Sequence, residues 1–334
     1  MKRPIFKMAN FALSLVLLIS ILPISFLLTP AVTVQASDLD TAALDRAIDQ
    51  GARYILRTVS DPQVDSVGGE WAVIGLARSG FTVPANYFAN YHRTVQRILR
   101  ENDGSLHPVR MTEYARVVLA LAATGQDPAN VNGHNLVAPL GDTDRVKRQG
   151  INGAIWALIA LDSNDFLINS GSDARNAYIE KIVNWQGNDG GWTLRGEAGE
   201  AGDPDITGMA LTALAPYRDR QDVRAAVNRG IAFLSRVQEP NGGFSGGWSD
   251  SNLESAVQVA VALTTLGIPI EDSRFVKNGN TLLDNILSFQ NSDGSFKHGS
   301  NRDGRDQMSS EQGLYGLVAI RRALNGQSSL FDMR

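Results

Sequence analysis

Gln186-Gly-Asn-Asp-Gly-Gly-Trp192 decides the fold of this chain, because the same phrase returns twice more at a fixed interval. Its later copies are Gln238-Glu-Pro-Asn-Gly-Gly-Phe244 and Gln290-Asn-Ser-Asp-Gly-Ser-Phe296, and successive copies begin 52 residues apart. A fourth, weaker copy runs from Arg100 to Leu106. A period of about fifty residues indicates that one supersecondary unit has been repeated, so the sequence predicts an array of such units.

Each part of the phrase has a structural reason to recur. Its Gln falls at the end of a helical segment, where the amide can bond the unpaired carbonyls of the last turn. Its Gly permits the positive φ of a chain reversal, and its aromatic residue can pack back over the helix end as an apolar plug. The phrase therefore predicts architecture and does not mark an active site.

Pairs of helical segments repeat along the chain. The first segment of each pair is amphipathic and the second is apolar on most sides, which places the first outside and the second inside. The predicted outer helices are 44–58, 87–99, 142–148, 174–185, 223–237 and 278–289, and the predicted inner helices are 71–78, 114–123, 151–161, 206–217, 253–266 and 310–324. The sequence shows no convincing period-2 strand. The predicted fold class is therefore all-α, an α/α toroid (α6/α6 barrel) of six helix pairs.

Residues 1–36 are typical of a secretory signal peptide and are not expected to belong to the fold. A basic start precedes an apolar run from Phe11 to Leu28, and a small-x-small cleavage site ends at Ala36. We expect cleavage after Ala36 and a secreted or cell-surface protein, with residues 37–334 as a single α/α barrel domain. An apolar run of this length can also be retained as a membrane anchor, and that alternative stays open.

Composition excludes several classes of function. Without residues 1–36 the net charge changes from −4 to −7, because that segment holds three basic and no acidic residues. An acidic chain is a poor partner for nucleic acid or an anionic membrane surface. The chain has no cysteine, which excludes disulfides, thiol nucleophiles and Cys-ligated zinc. Its four histidines are scattered, and no metal site or cofactor is predicted.

The repeated phrase and its helices resemble the terpenoid cyclase and protein prenyltransferase superfamily, whose repeats carry the QW motif. The resemblance covers the predicted barrel and is strongest over residues 174–324. Asp203-Pro-Asp-Ile-Thr-Gly-Met-Ala-Leu211 and Ser310-Glu-Gln-Gly-Leu-Tyr315 look most like exported Gram-positive proteins with prenyltransferase or squalene-oxidase repeats. Those proteins in turn resemble the barrel domain of the cobalamin carriers transcobalamin and intrinsic factor. The narrower likeness implies a module that binds a corrinoid or another amphipathic small molecule.

Asp203-Pro-Asp205-Ile206-Thr207 is the sharpest candidate for chemistry. Class II terpene cyclases carry Asp-x-Asp-Asp-Thr at a matching place, and their middle Asp protonates an alkene or an epoxide. The resemblance implies that Asp205 would be this general acid and Asp203 its partner, since a carboxyl beside a carboxylate in an apolar site stays neutral. Ile206 stands where the third Asp should be, which argues against cyclase activity. Predicted export argues the same way, as does a single barrel where the triterpene cyclases of the family resemble two.

Polar residues mark the starts of the inner helices. Aligning these helices places Asn152, Asp205, Glu254 and Glu311 at one equivalent position, and Glu113 falls beside that position in the second unit. In a closed barrel they would ring one mouth of the lumen. Two interpretations stay open, because such residues also cap helix N-termini and complement the macrodipole. The other interpretation is a ligand-binding rim.

Four aromatic residues lie on the predicted inner helices: Trp71, Tyr114, Trp156 and Tyr315. One interpretation is that they line an apolar cavity below a polar rim, which is the usual composition of a small-molecule site. Filling the space between the helix rings is the other interpretation, since protein interiors are close-packed and hold few cavities.

These observations predict an exported, non-catalytic binding or interaction module. Its expected partner is a small amphipathic molecule or a second surface protein, with no nucleic acid and no membrane span after signal cleavage. The alternative is a divergent class II terpene cyclase of the squalene-hopene type that uses Asp205, so whether the protein is an enzyme stays open. A polysaccharide-acting α/α-barrel enzyme ranks third, with Asp205 and either Glu254 or Glu311 as paired carboxylates.

Overall fold

Twelve α-helices build the part of the chain that the structure, a computed structural model, describes, namely residues 40–168, 173–197, 199–246, 251–299 and 304–334. They are α1 (Thr41–Thr58), α2 (Trp71–Ser79), α3 (Ala85–Glu101), α4 (Met111–Ala123), α5 (Thr143–Lys147), α6 (Gly150–Asp162), α7 (Ala174–Asn184), α8 (Pro204–Leu214), α9 (Gln221–Val237), α10 (Leu253–Thr265), α11 (Leu282–Ser288) and α12 (Gln307–Leu324). Short 3-10 turns and isolated β-bridges join them. Over these residues the chain forms no β-sheet.

The even-numbered helices form a closed inner ring in chain order. Each packs against the next from α2 to α12, and α12 packs against α2. The odd-numbered helices lie outside the ring, with α1 against α12, α7 against α6 and α9 against α8. The predicted α/α toroid of six helix pairs is therefore confirmed.

Burial separates the two rings as the hydrophobic pattern predicts. In the inner helix α6, ten of thirteen residues are buried, and they include consecutive positions on every side. In the outer helix α1, only seven of eighteen residues are buried, at the helical spacing of one apolar face. A helix that packs on most sides must be apolar on most sides, so the sequence of each helix sets its ring.

The repeated phrase has two of its three predicted roles in the structure. Its aromatic residues are fully buried at Trp192, Phe244 and Phe296. Its glycines have φ values of 93°, 82° and 88° at Gly190, Gly242 and Gly294. Gly294 is the most constrained of these, because a Cβ there would lie 2.2 Å from the carbonyl oxygen of Gln50. The turn between an outer and an inner helix therefore requires glycine on two grounds, backbone conformation and space.

The third predicted role, that of the glutamines, is wrong in its hydrogen-bond partner. Each amide was expected to bond the last turn of its own helix. Instead, Nε2 of Gln186 donates to the carbonyl of Ala226 in α9 at 2.9 Å. Nε2 of Gln290 donates to the carbonyl of Ala47 in α1 at 2.8 Å, which closes the outer ring. The phrase leaves the helix axis at its Gln, as the extended ψ of 133° at Gln238 shows, so the side chain points to the neighbouring unit.

The lumen of the inner ring has two unlike mouths, because the inner helices run in the same direction. At the upper mouth, where these helices begin, Glu254 of α10 meets Ser309 of α12. At the lower mouth, where they end, Arg78 of α2 meets the segment that follows α12, which we call the closing segment (residues 325–334). The candidate polar residues of the sequence lie at the upper mouth.

The predicted signal peptide, residues 1–36, lies outside the described residues, so cleavage after Ala36 and export stay predictions. Among the helices that are described, none combines the length and the apolar character needed to cross a membrane.

Candidate functional site

Asp205 lies in the first turn of α8 at the upper mouth. The pKa of its carboxyl is raised from 3.8 to about 7: burial is the largest cause, the carboxylates of Asp203 and Glu254 act in the same direction, and Ser255 and His298 act against it. Its Oδ1 atom is buried and has no hydrogen-bond partner among the described residues. Oδ1 of Asn152, at the start of α6, is buried and unpartnered in the same way. Buried polar atoms without a partner are uncommon in native proteins, so both atoms have unused capacity to bind a ligand or a water molecule.

Asp203 has a different role from its neighbour, because it is the N-cap of α8. Its Oδ1 accepts hydrogen bonds from the backbone N–H groups of Asp205 at 2.8 Å and Ile206 at 3.2 Å. These two bonds hold the carboxylate of Asp203 close to Asp205. Thr207 is also structural, since its Oγ1 accepts a hydrogen bond from the N–H of Trp192 at 2.9 Å. Ile206, which lies between Asp205 and Thr207 in the sequence, is buried and has no carboxyl group.

Glu254, in the first turn of α10, is held by two partners from the α12 unit. Its Oε2 lies 2.8 Å from Nδ1 of His298, and its Oε1 accepts from the hydroxyl of Ser309. Sequence reasoning missed His298 because 44 residues separate it from Glu254. One signal could have found it. His298 follows the aromatic residue of the third phrase by two positions, where the earlier copies have Leu194 and Gly246.

Glu311 joins α12 to the start of α2. Its Oε1 accepts from the N–H of Gly68 at 2.9 Å and from Nε2 of Gln307 at 2.7 Å. Burial raises the pKa of Glu311 to about 7 against the effect of these bonds, and its Oε2 atom is buried without a partner. The hydroxyl of Tyr87, also buried and unpartnered, has its pKa raised by burial and by the charge of Glu311.

A further buried acid, Glu70, was not singled out from the sequence. It precedes α2, accepts from the hydroxyl of Tyr91 at 3.1 Å and pairs with Nε of Arg116 at 3.3 Å. Burial raises its pKa to about 8 despite the positive charge of Arg116. The predicted rim residue Glu113 lies close by and forms an ion pair with Arg110 at 3.2 Å.

These contacts favour a mainly structural role for the acidic rim. Glu254 reaches α12, Glu311 reaches the start of α2, and Glu70 reaches α4, so each acid ties its helix to the next helix of the inner ring. Asp205 and Glu311 each keep one buried carboxylate oxygen without a partner, but Oε1 of Glu311 already holds Gly68, whereas no described residue donates to Oδ1 of Asp205. The candidate ligand-binding group of the rim is therefore Asp205.

A layer of amide and hydroxyl groups joins two neighbouring inner helices, α10 and α12, below the rim. Nε2 of Gln258 donates to the hydroxyl of Tyr315 at 2.7 Å and to Oε1 of Gln312 at 3.1 Å. The Tyr315 hydroxyl in turn donates to Oε1 of Gln312 at 2.9 Å. Along these helices the layer lies between the acidic mouth and the lower lumen.

Aromatic rings fill the lumen below this layer. The ring of Trp71 lies 5.0 Å from that of Trp156 and 5.7 Å from that of Tyr315, and Phe331 of the closing segment completes the cluster. Three of the four predicted lumen residues therefore meet, but they pack against one another. Tyr114 lies elsewhere, which corrects its placement with the others. Its hydroxyl accepts from the N–H of Leu106 at 3.0 Å and bonds Ser105, so it holds the turn between α3 and α4.

Comparison with known proteins adds two kinds of similarity. Residues 199–314, which include Asp203, Asp205, Glu254 and Glu311, match the squalene-hopene cyclase C-terminal domain family. Lanosterol synthase of Aspergillus fumigatus is 27% identical over 118 residues, which are 34% of this chain and 14% of that protein. The chain thus matches about one seventh of the length of this curated relative.

Solved structures share the fold over most of the chain. Unsaturated glucuronyl hydrolase from Bacillus sp. GL1 has a TM-score of 0.58 at 13% identity, over 88% of this chain and 99% of that protein. A variant of the type II terpene cyclase MstE from Scytonema, bound to its substrate geranylgeranyl dihydroxybenzoate, has a TM-score of 0.55 at 12% identity, over 85% of this chain and 98% of that one. At such identities the similarity concerns the fold alone.

Proposed function

We propose that the chain, whose residues 199–314 match the squalene-hopene cyclase C-terminal domain family and which folds as one α/α toroid, binds a small amphipathic molecule at the upper mouth without transforming it. The polar end of the ligand accepts a hydrogen bond from Asp205. Its apolar part lies against the rim, where Val109, two residues before α4, and Met308, in the first turn of α12, expose apolar side chains. Export to the cell surface, and a second surface protein as an added partner, are part of this proposal.

The unpartnered Oδ1 atom of the Asp205 carboxyl is the observation that carries the proposal. A carboxyl with a pKa of about 7 is protonated in about half of the molecules at neutral pH, and a protonated carboxyl has one O–H to donate. Glu70, Glu254 and Glu311 already hold a neighbouring helix. Asp203 caps its own helix, and Glu113 is paired with Arg110. Asp205 is thus a donor held in place by α8 and not consumed by the fold.

Two features favour binding over catalysis. Ile206 removes the second carboxylate that the cyclases place directly after their acid, so less charge is at hand to stabilise a cation. Below the rim, the bonded layer of Gln258, Gln312 and Tyr315 and the packed rings under it occupy the space that a folded isoprenoid chain would need.

A divergent class II terpene cyclase is the second candidate, and one specific observation favours it. The raised pKa of Asp205 suits a general acid as well as a hydrogen-bond donor. A single barrel does not exclude this candidate, because the match with this chain covers 98% of the terpene cyclase MstE. The polysaccharide-acting enzyme is less favoured, since Glu254 and Glu311 are both bonded to neighbouring helices and leave Asp205 without a paired carboxylate.

The two candidates separate by substitution of one residue. The purified protein is mixed with a corrinoid (dicyanocobinamide), geranylgeranyl diphosphate or squalene, and both bound ligand and product are measured by mass spectrometry. Asn keeps a donor at this position but cannot give up a proton, whereas Ala removes both properties. For binding alone, we expect one ligand per chain, no product, an affinity within about threefold for Asp205→Asn and a loss of at least about tenfold for Asp205→Ala.

The control is Asp222→Ala, which removes an exposed acid from the first turn of the outer helix α9. It should leave the affinity unchanged. Product formed by the wild type and abolished by Asp205→Asn would instead establish the cyclase. Equal affinity of the wild type and Asp205→Ala would show that Asp205 does not contact the ligand.

A further inference from the structure

The closing segment crosses the lower mouth of the toroid. The N–H of Met333 donates to the carbonyl of Ser163, just after α6, at 2.7 Å. On the opposite side of the mouth, the guanidinium of Arg78 donates to the carbonyls of Ser329 at 3.0 Å and Leu330 at 3.1 Å. The segment forms no helix, so it is held only by such bonds and by the side chains that it inserts.

Phe331 is the side chain that enters the lumen. Its ring lies 5.8 Å from that of Trp156, edge to face, and 6.5 Å from that of Tyr315. Only 6% of Phe331 is exposed, although it lies in an irregular segment. The lower lumen therefore already contains one aromatic group that comes from outside the helix rings, in the edge-to-face arrangement that aromatic pairs prefer.

The bonds that hold the segment recognise its backbone more than its sequence. Arg78 and Arg322 donate between them to four carbonyls, those of Ser328, Ser329, Leu330 and Asp332, and also to the hydroxyl of Ser328. Holding the two guanidinium groups together is unfavourable, since burial and the charge of Arg322 lower the pKa of Arg78 to about 10. Release of the segment would return both groups to water, which offsets part of the lost bonding.

We infer that residues 328–334 are a displaceable plug over an apolar binding site in the lower lumen, whose walls are Trp71, Trp156 and Tyr315. Phe331 is the built-in occupant, and its chemistry defines the class of ligand: a flat aromatic group that contacts the indole ring of Trp156 and the phenol ring of Tyr315. A cleft of about 200 Å³ runs beside Phe331 between the ends of α6, α8 and α10, and it gives such a ligand a path along the segment. This site lies at the opposite mouth from Asp205 and does not depend on the function proposed there.

The test removes the plug and then returns it as a separate molecule. A variant that ends after Gln327 is titrated with the aromatic probe 8-anilinonaphthalene-1-sulfonate, and probe fluorescence and tryptophan emission are both recorded. We expect one new probe site, at least tenfold tighter than any site of the intact protein, with quenching of tryptophan emission. The synthetic peptide Ser-Ser-Leu-Phe-Asp-Met-Arg should displace the probe, and the same peptide with Ala for Phe should be at least tenfold weaker.

Two full-length variants complete the test. Phe331→Ala empties the site while keeping the backbone bonds to Arg78, so it should gain the probe site and keep its helical circular dichroism. Gln327→Ala changes an exposed side chain just before the plug and should behave as the wild type. Loss of the helical fold in the truncated variant would overturn the proposal, because the segment would then be part of the core. Unchanged probe binding in both the truncated variant and Phe331→Ala would overturn it as well.

Discussion

At Asp205, burial and two neighbouring carboxylates act in the same direction on one proton. The pKa rises from 3.8 to about 7, while Asp203 stays fixed beside it as the cap of α8. A carboxyl in this state donates a hydrogen bond at neutral pH, which an ordinary aspartate cannot do. Two residues of the same motif, two positions apart, thus have opposite proposed roles: Asp203 accepts from the start of the helix, and Asp205 donates to a ligand.

The raised pKa of Asp205 predicts how stability depends on pH. The folded state holds this proton between pH 3.8 and about 7, where the unfolded chain has lost it. The contribution of the group to stability is therefore complete below the unfolded pKa and is lost as the pH rises through the folded pKa. Asp205→Asn, which mimics the neutral form, should gain roughly 2–4 kcal/mol over the wild type between pH 4 and pH 8.

Urea unfolding of both proteins across this pH range measures the difference. The control is Asp222→Asn: Arg220 lowers the pKa of Asp222 below 3.8, so this acid stays charged over the range and its substitution should give a difference that does not change with pH. A wild type and an Asp205→Asn variant that lose stability in parallel with pH would show that Asp205 ionises normally in the fold.

Gly294 predicts a second effect at the scale of one residue. Ala at this position has both an unfavourable φ of 88° and a Cβ that would lie 2.2 Å from a backbone oxygen of α1. Gly279 has a similar φ of 82° but nothing within 4 Å of its Cβ position. We expect Gly279→Ala to cost about 1 kcal/mol and Gly294→Ala at least about 3 kcal/mol in urea unfolding. Equal costs would mean that the close approach to α1 is not a constraint.

At the scale of the element, the start of one inner helix is fastened to the next. The tie between α10 and α12 is the most complete example, since Glu254 is bonded by both His298 and Ser309. A buried carboxylate that loses one of its partners is penalised more than a pair that is removed together.

A double-mutant cycle tests this tie. His298→Ala should destabilise the protein by roughly 1–2 kcal/mol, because it leaves Oε2 of the buried Glu254 unpaired. In the background of Glu254→Gln the same substitution should cost less, with a coupling energy of at least about 0.5 kcal/mol. Additive effects of the two substitutions would show that His298 and Glu254 do not interact energetically.

The sequence predicts features that belong to one segment, but it does not predict contacts between segments. The helices, and the ring to which each belongs, could be predicted because hydrophobic periodicity is a property of each segment by itself, as α1 and α6 show. Contacts between segments could not. The glutamine of the phrase was placed at the correct helix end, but only the fold brings the carbonyl of Ala47 to Gln290. His298 and Tyr114 were misjudged for the same reason, since their partners are set by how units pack.

At the scale of the whole molecule, the array is closed in both rings. The last phrase bonds the first outer helix through Gln290 and Ala47, and the last inner helix bonds the start of the first through Glu311 and Gly68. A closed array leaves no helix face unpaired at its ends, unlike an open solenoid, which needs capping repeats.

Ring closure predicts where the molecule loosens when one bond is removed. Gln290→Leu should speed amide hydrogen exchange in α1 and α12, because it breaks the link between the ends of the array. Gln186→Leu, which removes the equivalent bond to α9 within the array, should affect only α7 and α9. Exchange followed by mass spectrometry distinguishes the two patterns. No change in α1 of the Gln290→Leu variant would contradict the role of this bond in closure.

While Phe331 is in place, the lower lumen is filled by packed aromatic rings, so in this state the described residues leave the upper mouth for a ligand. The family match includes this mouth, since residues 199–314 carry three of its acids. The proposed function therefore depends on the raised pKa of the Asp205 carboxyl.

That property can be measured directly by a carbon-13 NMR titration of the protein labelled at its aspartate carboxyl carbons. The resonance absent from Asp205→Asn identifies the group. We expect a titration midpoint at a pH of about 7, because burial raises the pKa of Asp205 to that value. A midpoint near 4, the value of an exposed aspartate, would contradict the proposed function, because Asp205 would then be charged at neutral pH and could not donate to a ligand.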